Sequence, residues 1–148
     1  YGYVHTLKKF KFKSGVINGL KYLTRNNYYI FIVTNQAGIG KKKYSLETFF
    51  KLHKELKDVL IKKKIYINDV KYSPFHINGK IQKFKKKSGF RKPGNLMIKE
   101  ILKKWDIVKK KSFMIGDKIS DEICAKRSGL YFEFAKNNFY NQVKLIIK

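Results

Sequence analysis

The stretch "SFMIGDKISDEICAKRSGL" (112–130) shows how this chain passes from strand to helix. An apolar run stops at a glycine, and Asp117, Asp121 and Glu122 follow, although the chain holds only 10 acidic residues against 35 basic ones. A carboxylate between a buried strand and a helix is well placed to hold a hard cation such as Mg²⁺. Asp121, one helical turn further on, has simpler alternatives as a helix cap or as the partner of a lysine.

The rest of the chain repeats this alternation. Short apolar or alternating runs bounded by turn residues predict strands, and apolar residues three and four apart predict helices. Strands that alternate with helices predict right-handed crossovers and a parallel sheet, with functional residues at the carboxyl ends of the strands. The predicted strands are 28–35, 65–74, 112–117 and 131–134, and the predicted helices are 15–25, 45–63, 94–104, 120–128 and 138–147.

The helical spacing also predicts which side chains face inward. Ser45 is the expected N-cap of the second helix. The periodic residues of segments 45–63 and 94–104 are expected to face inward: Leu46, Phe49, Phe50, His53, Leu56 and Leu60, and then Leu96, Ile98, Ile101 and Leu102.

Composition limits the class of protein. A hydrophobic share of 43% argues against disorder, no apolar run reaches the roughly 18 residues of a membrane span, and the single Cys124 excludes an internal disulfide. The net charge of +25 has two interpretations. It fits a nucleic-acid partner, but only three of the 35 basic residues are Arg, which favours A/T-rich codon bias over a phosphate-reading surface.

Two further segments carry polar groups suited to phosphate. After the first predicted strand, "VTNQAGIGKKKYS" (33–45) brings Thr34, Asn35 and Gln36 to the strand end and adds a glycine-rich turn. "FRKPG" (90–94) puts two cations directly before a helix, an arrangement that attracts anions.

Taken in order, "GYVHTLKKFKFKSGV" (2–16), "VTNQAGIGKKKYS" (33–45), "RKPGNLMI" (91–98) and "MIGDKISD" (114–121) resemble the haloacid dehalogenase-like phosphatases. The resemblance is to the branch of the heptose 1,7-bisphosphate and histidinol-phosphate phosphatases, and it covers nearly the whole chain. It implies one domain over 1–148 with a Rossmann-like, three-layer αβα parallel sheet that lacks its first central strand.

The resemblance implies a role for each matching residue. Thr34 would hydrogen-bond the phosphoryl group in transfer, Lys92 would neutralise its charge, Asp117 would hold Mg²⁺, and Asp121 would orient Lys92 or the waters of the metal. The residues expected to contact substrate are Gly2, Tyr3, Thr34, Asn35, Gln36, Ala37, Arg91, Lys92 and Lys118.

Two departures from the family pattern matter. The family's attacking aspartate precedes the segment that matches "YGYVH" (1–5), so we expect the 148-residue chain to be a fragment, inactive and poorly stable. Many relatives also clamp a long loop with zinc, but Ser73, Phe75, Ser88 and Phe90 stand where ligands would be, and His76 alone does not make a zinc site. We therefore expect no zinc, with Phe75, Phe84 and Phe90 holding the loop instead.

The resemblance implies a cytoplasmic, Mg²⁺-dependent phosphatase of a phosphosugar, foremost heptose 1,7-bisphosphate, acting through an aspartyl-phosphate. A monomer is expected, with neither a membrane nor a nucleic acid as partner. The alternatives are a histidinol-phosphate phosphatase, a polynucleotide 3′-phosphatase and a non-catalytic phosphate-binding protein.

Overall fold

The computed structural model describes residues 12–148, and its elements follow the predicted order of helices and strands. Each predicted element is present, with ends that differ by at most four residues. The helices are α1 (Val16–Arg25), α2 (Ala37–Gly40), α3 (Leu46–Lys62), α4 (Leu96–Lys104), α5 (Ile119–Arg127) and α6 (Phe139–Ile146). The strands are β1 (Phe31–Asn35), β2 (Asp69–Ser73), β3 (Phe113–Gly116) and β4 (Tyr131–Phe134), and short 3₁₀ turns cover Gln82–Phe84 and Lys109–Lys111.

Within residues 12–148 the strands form two two-stranded sheets, β1 with β2 and β3 with β4. β3 and β4 are parallel, with Phe113 opposite Tyr131 and Gly116 opposite Phe134. Hydrogen bonds at the ends of the other pair join the Asn68 amide to the Ile30 carbonyl and the Gln36 amide to the Ser73 carbonyl. Because the residue numbers of the partners rise together along both strands, β1 and β2 are parallel as well, as predicted.

The chain divides into two compact units, the first of which contains the described residues 12–32, 43–70 and 136–148. Here α1 packs against α6, because Gly19 leaves space for the Phe139 ring: a Cβ on Gly19 would lie 2.3 Å from that ring. α3 begins at the predicted N-cap, where Ser45 Oγ accepts a hydrogen bond from the Thr48 amide at 3.1 Å. His53 is buried against the Phe49 ring, which confirms its assignment to the core.

The second unit contains residues 33–42 and 71–135 and holds most of the residues that the sequence assigns to a site. Its helix α5 packs on both β3 and β4. The buried side of α4 is formed by Met97, Ile98 and Ile101.

The inward-facing predictions were wrong at two positions. Phe50 in α3 is 51% exposed and Leu96 in α4 is 37% exposed, whereas Met97, which the spacing did not select, is buried. Both errors lie at the edge of an apolar stripe, where a rotation of a few tens of degrees about the helix axis decides exposure.

None of the helices among residues 12–148 combines the length and the apolar character needed to cross a membrane.

Candidate active site

The end of β3 brings Asp117 to the surface. The strand ends at Gly116, Asp117 follows as an exposed residue, and α5 begins two residues later. Gly116 is needed because a Cβ there would lie 2.5 Å from Asp121 Cβ and 2.6 Å from its Oδ2. The glycine in "GDKISD" therefore lets the first turn of α5 fold back onto the strand end.

Asp121 is buried, and both of its carboxylate oxygens are engaged. Its Oδ2 accepts hydrogen bonds from the amides of Asp117 and Lys118, each at 3.1 Å, and so caps the start of α5. Its Oδ1 lies 2.6 Å from the Lys92 ammonium. The two simple roles weighed for Asp121, cap and lysine partner, are thus combined in one side chain.

The surroundings of Asp121 keep it ionised. Burial alone would raise the pKa of its carboxyl. The hydrogen bond and charge of Lys92, with the backbone amides of Lys118 and Asp117, outweigh burial and bring the pKa below its ordinary value. A permanent negative charge therefore faces Lys92 at neutral pH.

Lys92 lies at the end of β1, where its ammonium also donates to the Val33 carbonyl at 3.1 Å. Its side chain is only 12% exposed. With a carboxylate on one side and a carbonyl on the other, the Nζ atom is held in one place and still has a third N–H to offer.

The polar residues that follow β1 are partly occupied within the protein. Asn35 bonds the backbone of Lys92 twice: Oδ1 accepts from the Lys92 amide at 2.9 Å, and Nδ2 donates to the Lys92 carbonyl at 3.3 Å. Thr34 is buried, and its Oγ1 accepts from Gln36 Nε2 at 2.9 Å. The observed contacts of Asn35 and Gln36 are to protein groups, and their contacts to substrate remain a prediction.

Arg91 has a side-chain nitrogen that the described residues leave without a partner. Its Nη1 is buried and has no hydrogen-bond partner among the described residues. Burial lowers the pKa of the His76 imidazole, and the charges of Lys41 and Arg91 lower it further. Both cations therefore act on the region around His76. A buried, unpaired guanidinium nitrogen is costly unless an anion completes it.

Ala37 and the rest of α2 are buried beneath the long loop 74–95. The Gly40 carbonyl accepts the amides of Lys80 and Ile81 at 2.7 and 2.9 Å, and a Cβ on Gly40 would lie 2.3 Å from the Pro74 carbonyl oxygen. The glycine-rich turn therefore seats this loop beside the strand end.

The aromatic residues predicted to hold the loop contact one another. The Phe75 ring centroid lies 5.7 Å from that of Phe84 and 6.4 Å from that of Phe90. Lys86 and Lys83 place their ammonium groups about 5 Å over the Phe75 and Phe84 rings. The predicted apolar contact within the loop is confirmed.

The residues present are suited to supply part of a magnesium site. Mg²⁺ is held in proteins by one or two carboxylates with substrate phosphate and water, and the exposed carboxylate of Asp117 has the chemistry of such a ligand. Asp121 is not, because both of its oxygens are engaged. Across 12–148, no three His, Cys, Asp or Glu side chains form a metal-binding group, and the role of Asp117 as a magnesium ligand stays a prediction.

The remaining site predictions are placed as follows. Lys118 is exposed beside Asp117. Gly2 and Tyr3 lie outside the described residues. Of the aspartates not assigned to the site, Asp58 lies within α3, Asp69 opens β2 and Asp106 follows α4, so none of these three follows the end of a strand.

Two site neighbours escaped the sequence reasoning. Cys124 Sγ donates to the Gly94 carbonyl at 3.3 Å, and Arg127 Nη1 donates to the Pro93 carbonyl at 3.2 Å. Asp121, Cys124 and Arg127 follow one another at intervals of three residues, so each lies beside the next along α5.

Comparison with known proteins identifies the family of this chain. The family model described as "Polynucleotide kinase 3 phosphatase" matches residues 4–145. A D-glycero-beta-D-manno-heptose-1,7-bisphosphate 7-phosphatase of Rhodopseudomonas palustris is 33% identical over 128 residues, 86% of this chain and 71% of the relative. One of Haemophilus influenzae is 35% identical over 121 residues, 82% of this chain and 65% of the relative. The chain thus spans about two thirds of the length of these relatives.

Solved structures share the fold. A HAD-like phosphatase of Mesorhizobium loti superposes with a TM-score of 0.87 at 18% identity, covering 99% of this chain and 78% of that one. A D,D-heptose 1,7-bisphosphate phosphatase of B. bronchiseptica, complexed with magnesium and phosphate, gives a TM-score of 0.78 at 16% identity, covering 97% and 76%. The chain belongs to the haloacid dehalogenase-like phosphatases, in the branch that holds the heptose 1,7-bisphosphate phosphatases.

Proposed function

We propose that this chain is part of a Mg²⁺-dependent phosphatase that converts D-glycero-D-manno-heptose 1,7-bisphosphate to the heptose monophosphate. The observation that carries the proposal is the Lys92 ammonium, held 2.6 Å from Asp121 and 3.1 Å from the Val33 carbonyl beside Thr34. Relatives at 33% and 35% identity that are named for this substrate support the choice of ester.

Each residue of the centre has a defined task in the proposal. The Lys92 ammonium and the Thr34 hydroxyl bind phosphoryl oxygens, and Lys92 stabilises the charge that builds up during transfer. Asp121 keeps Lys92 in position. Asp117 would hold magnesium, which when bound neutralises phosphate charge and orients the ester. The aspartate that forms the aspartyl-phosphate is assigned to no residue of this chain.

Arg91 supports a substrate with more than one anionic group. Its Nη1, buried and without a hydrogen-bond partner among residues 12–148, belongs to the residue that precedes Lys92. A second phosphate of a bisphosphate would supply an anion for Arg91 while Lys92 binds the first. We place the enzyme in the cytoplasm as a monomer, where a phosphosugar is its small-molecule partner.

A substrate panel tests the proposal. The full-length protein is assayed with Mg²⁺ on heptose 1,7-bisphosphate, histidinol phosphate and a 3′-phosphorylated oligonucleotide. We expect kcat/KM to be highest for the heptose bisphosphate. Preferred turnover of histidinol phosphate or of the oligonucleotide would overturn the choice of substrate, and no turnover of any ester would favour a non-catalytic phosphate-binding protein.

A polynucleotide 3′-phosphatase is the second candidate, favoured by the description of the matching family and by the charge. No Asp or Glu stands between Asp69 and Glu100, whereas Lys80, Lys83 and the run 85–87 do. This candidate requires DNA binding whose affinity falls steeply with salt, because each phosphate contact releases counterions. Anisotropy titrations of a labelled oligonucleotide at two salt concentrations separate it from the sugar phosphatase, for which we expect weak binding at physiological salt.

A further inference from the structure

The turn that carries Lys92 lies along one side of α5. Three consecutive residues of the turn, Lys92, Pro93 and Gly94, bond to Asp121, Arg127 and Cys124 respectively. Residues three apart on a helix share a side, so these three partners form a continuous edge.

Each of the three contacts uses a different group of the turn. The Asp121 carboxylate pairs with the Lys92 ammonium at 2.6 Å. The Arg127 guanidinium donates to the Pro93 carbonyl at 3.2 Å. The Cys124 thiol donates to the Gly94 carbonyl at 3.3 Å. Burial raises the pKa of the Cys124 thiol, so it remains protonated and able to donate. Asn95 Nδ2 donates a hydrogen bond to the Arg127 carbonyl at 3.2 Å.

The opposite side of the turn is held as well. Asn35 bonds both the amide and the carbonyl of Lys92. Gly94 packs so closely on Gly89 that a Cβ would lie 2.3 Å from the Gly89 carbonyl oxygen. The turn therefore has little freedom to shift along the helix.

We propose that Arg127 and Cys124 are positioning residues, which with Asp121 fix the Lys92–Gly94 turn to α5 so that the Lys92 ammonium is in place before phosphate arrives. This inference rests on the proposed function only for the identity of the anion. Because α5 starts just after Asp117, one rigid helix sets both the cation-binding carboxylate and the phosphate-binding lysine. Catalytic groups held in place in advance need no reorganisation during the reaction.

Hydrogen exchange measured by mass spectrometry tests the positioning directly. The variants are Arg127→Met, which removes the donor, Arg127→Lys, which keeps a donor, and Lys126→Met, which removes the same charge from the neighbouring exposed residue. In Arg127→Met we expect exchange in the 88–96 peptide to speed up by about two- to tenfold, the factor that one lost hydrogen bond corresponds to. We expect Arg127→Lys and Lys126→Met to stay near wild type.

Affinity for inorganic phosphate, measured by calorimetry with Mg²⁺ on the same chains, gives the functional readout. We expect a two- to tenfold weaker Kd for Arg127→Met and for Cys124→Ala, by the same hydrogen-bond factor of about 1 kcal/mol, and a Kd near wild type for Cys124→Ser.

Two results would overturn the inference: equal exchange and affinity in Arg127→Met and Lys126→Met, or faster exchange in every peptide of Arg127→Met, including 139–146. If the wild-type chain binds no phosphate, the proposed function loses its support, while exchange in 88–96 still decides whether Arg127 positions the turn.

Discussion

The Asp121 carboxylate pairs with Lys92, and the direction of its pKa shift makes a pH prediction. The folded pKa lies below the unfolded value of about 3.9, so the ion pair contributes its full stability above that pH and loses it as pH falls through the folded pKa. We expect Asp121→Asn to lower the free energy of unfolding at pH 7 by about 2–4 kcal/mol, since Lys92 loses its buried partner. Urea titrations at several pH values should show this difference shrinking below pH 4.

The control for this prediction is Glu122→Gln, at the neighbouring half-exposed carboxylate. A stability difference for Asp121→Asn that stays constant from pH 7 to pH 3 would contradict the charge-based explanation.

Gly116 sets how closely α5 approaches β3. A methyl group there would lie within 2.6 Å of Asp121 Cβ and Oδ2, and neither the strand nor the capped helix end can yield freely. We expect Gly116→Ala to lower the free energy of unfolding by about 1–3 kcal/mol, as overpacking typically does. Lys99→Ala, at an exposed site in α4, is the matched control; equal stabilities of the two variants in thermal unfolding would refute the packing argument.

At the scale of elements, the loop 74–95 depends on its phenylalanines. Phe75 contacts both Phe84 and Phe90, whereas Phe50 is an exposed phenylalanine in α3. We expect Phe75→Ala to cost about 2 kcal/mol, less than the 3–5 kcal/mol of a fully buried phenylalanine. Phe50→Ala should cost much less, and chemical denaturation of both variants measures the difference.

Metal analysis bears on the same loop. We expect the purified protein to contain no stoichiometric zinc and its midpoint of thermal unfolding to be unchanged by a zinc chelator. One zinc per chain, or a midpoint lowered by the chelator alone, would show that this loop is clamped as in zinc-bearing relatives.

The order and type of the elements could be predicted from the sequence, because apolar periodicity, N-cap chemistry and turn residues are local signals. Ser45 and the glycine before Asp117 are examples. The four-residue helix α2 was missed because it is too short to show a period. The exposure of Phe50 and Leu96 depends on how each helix is rotated against its neighbours, which spacing alone does not specify.

For the molecule as a whole, the candidate site was predictable as a set of residues but not as a set of contacts. The sequence motifs predict that Thr34, Lys92, Asp117 and Asp121 lie in one site. The structure places Lys92 against Asp121. That Asn35 holds the backbone of Lys92 instead of facing outward depends on where residues 57 positions apart meet. The contacts of Arg127 and Cys124 likewise join residues that are more than 25 positions apart along the chain.

The most direct measurement of the central claim is Mg²⁺-dependent phosphate release from heptose 1,7-bisphosphate by the full-length protein, as wild type, Lys92→Met, Asp117→Asn and Lys126→Met. We expect Lys92→Met and Asp117→Asn each to lower kcat by about 100-fold or more, the cost of removing one electrostatic contact to the transition state. We expect Lys126→Met to have wild-type activity. Full activity of Lys92→Met or Asp117→Asn would contradict the proposed function.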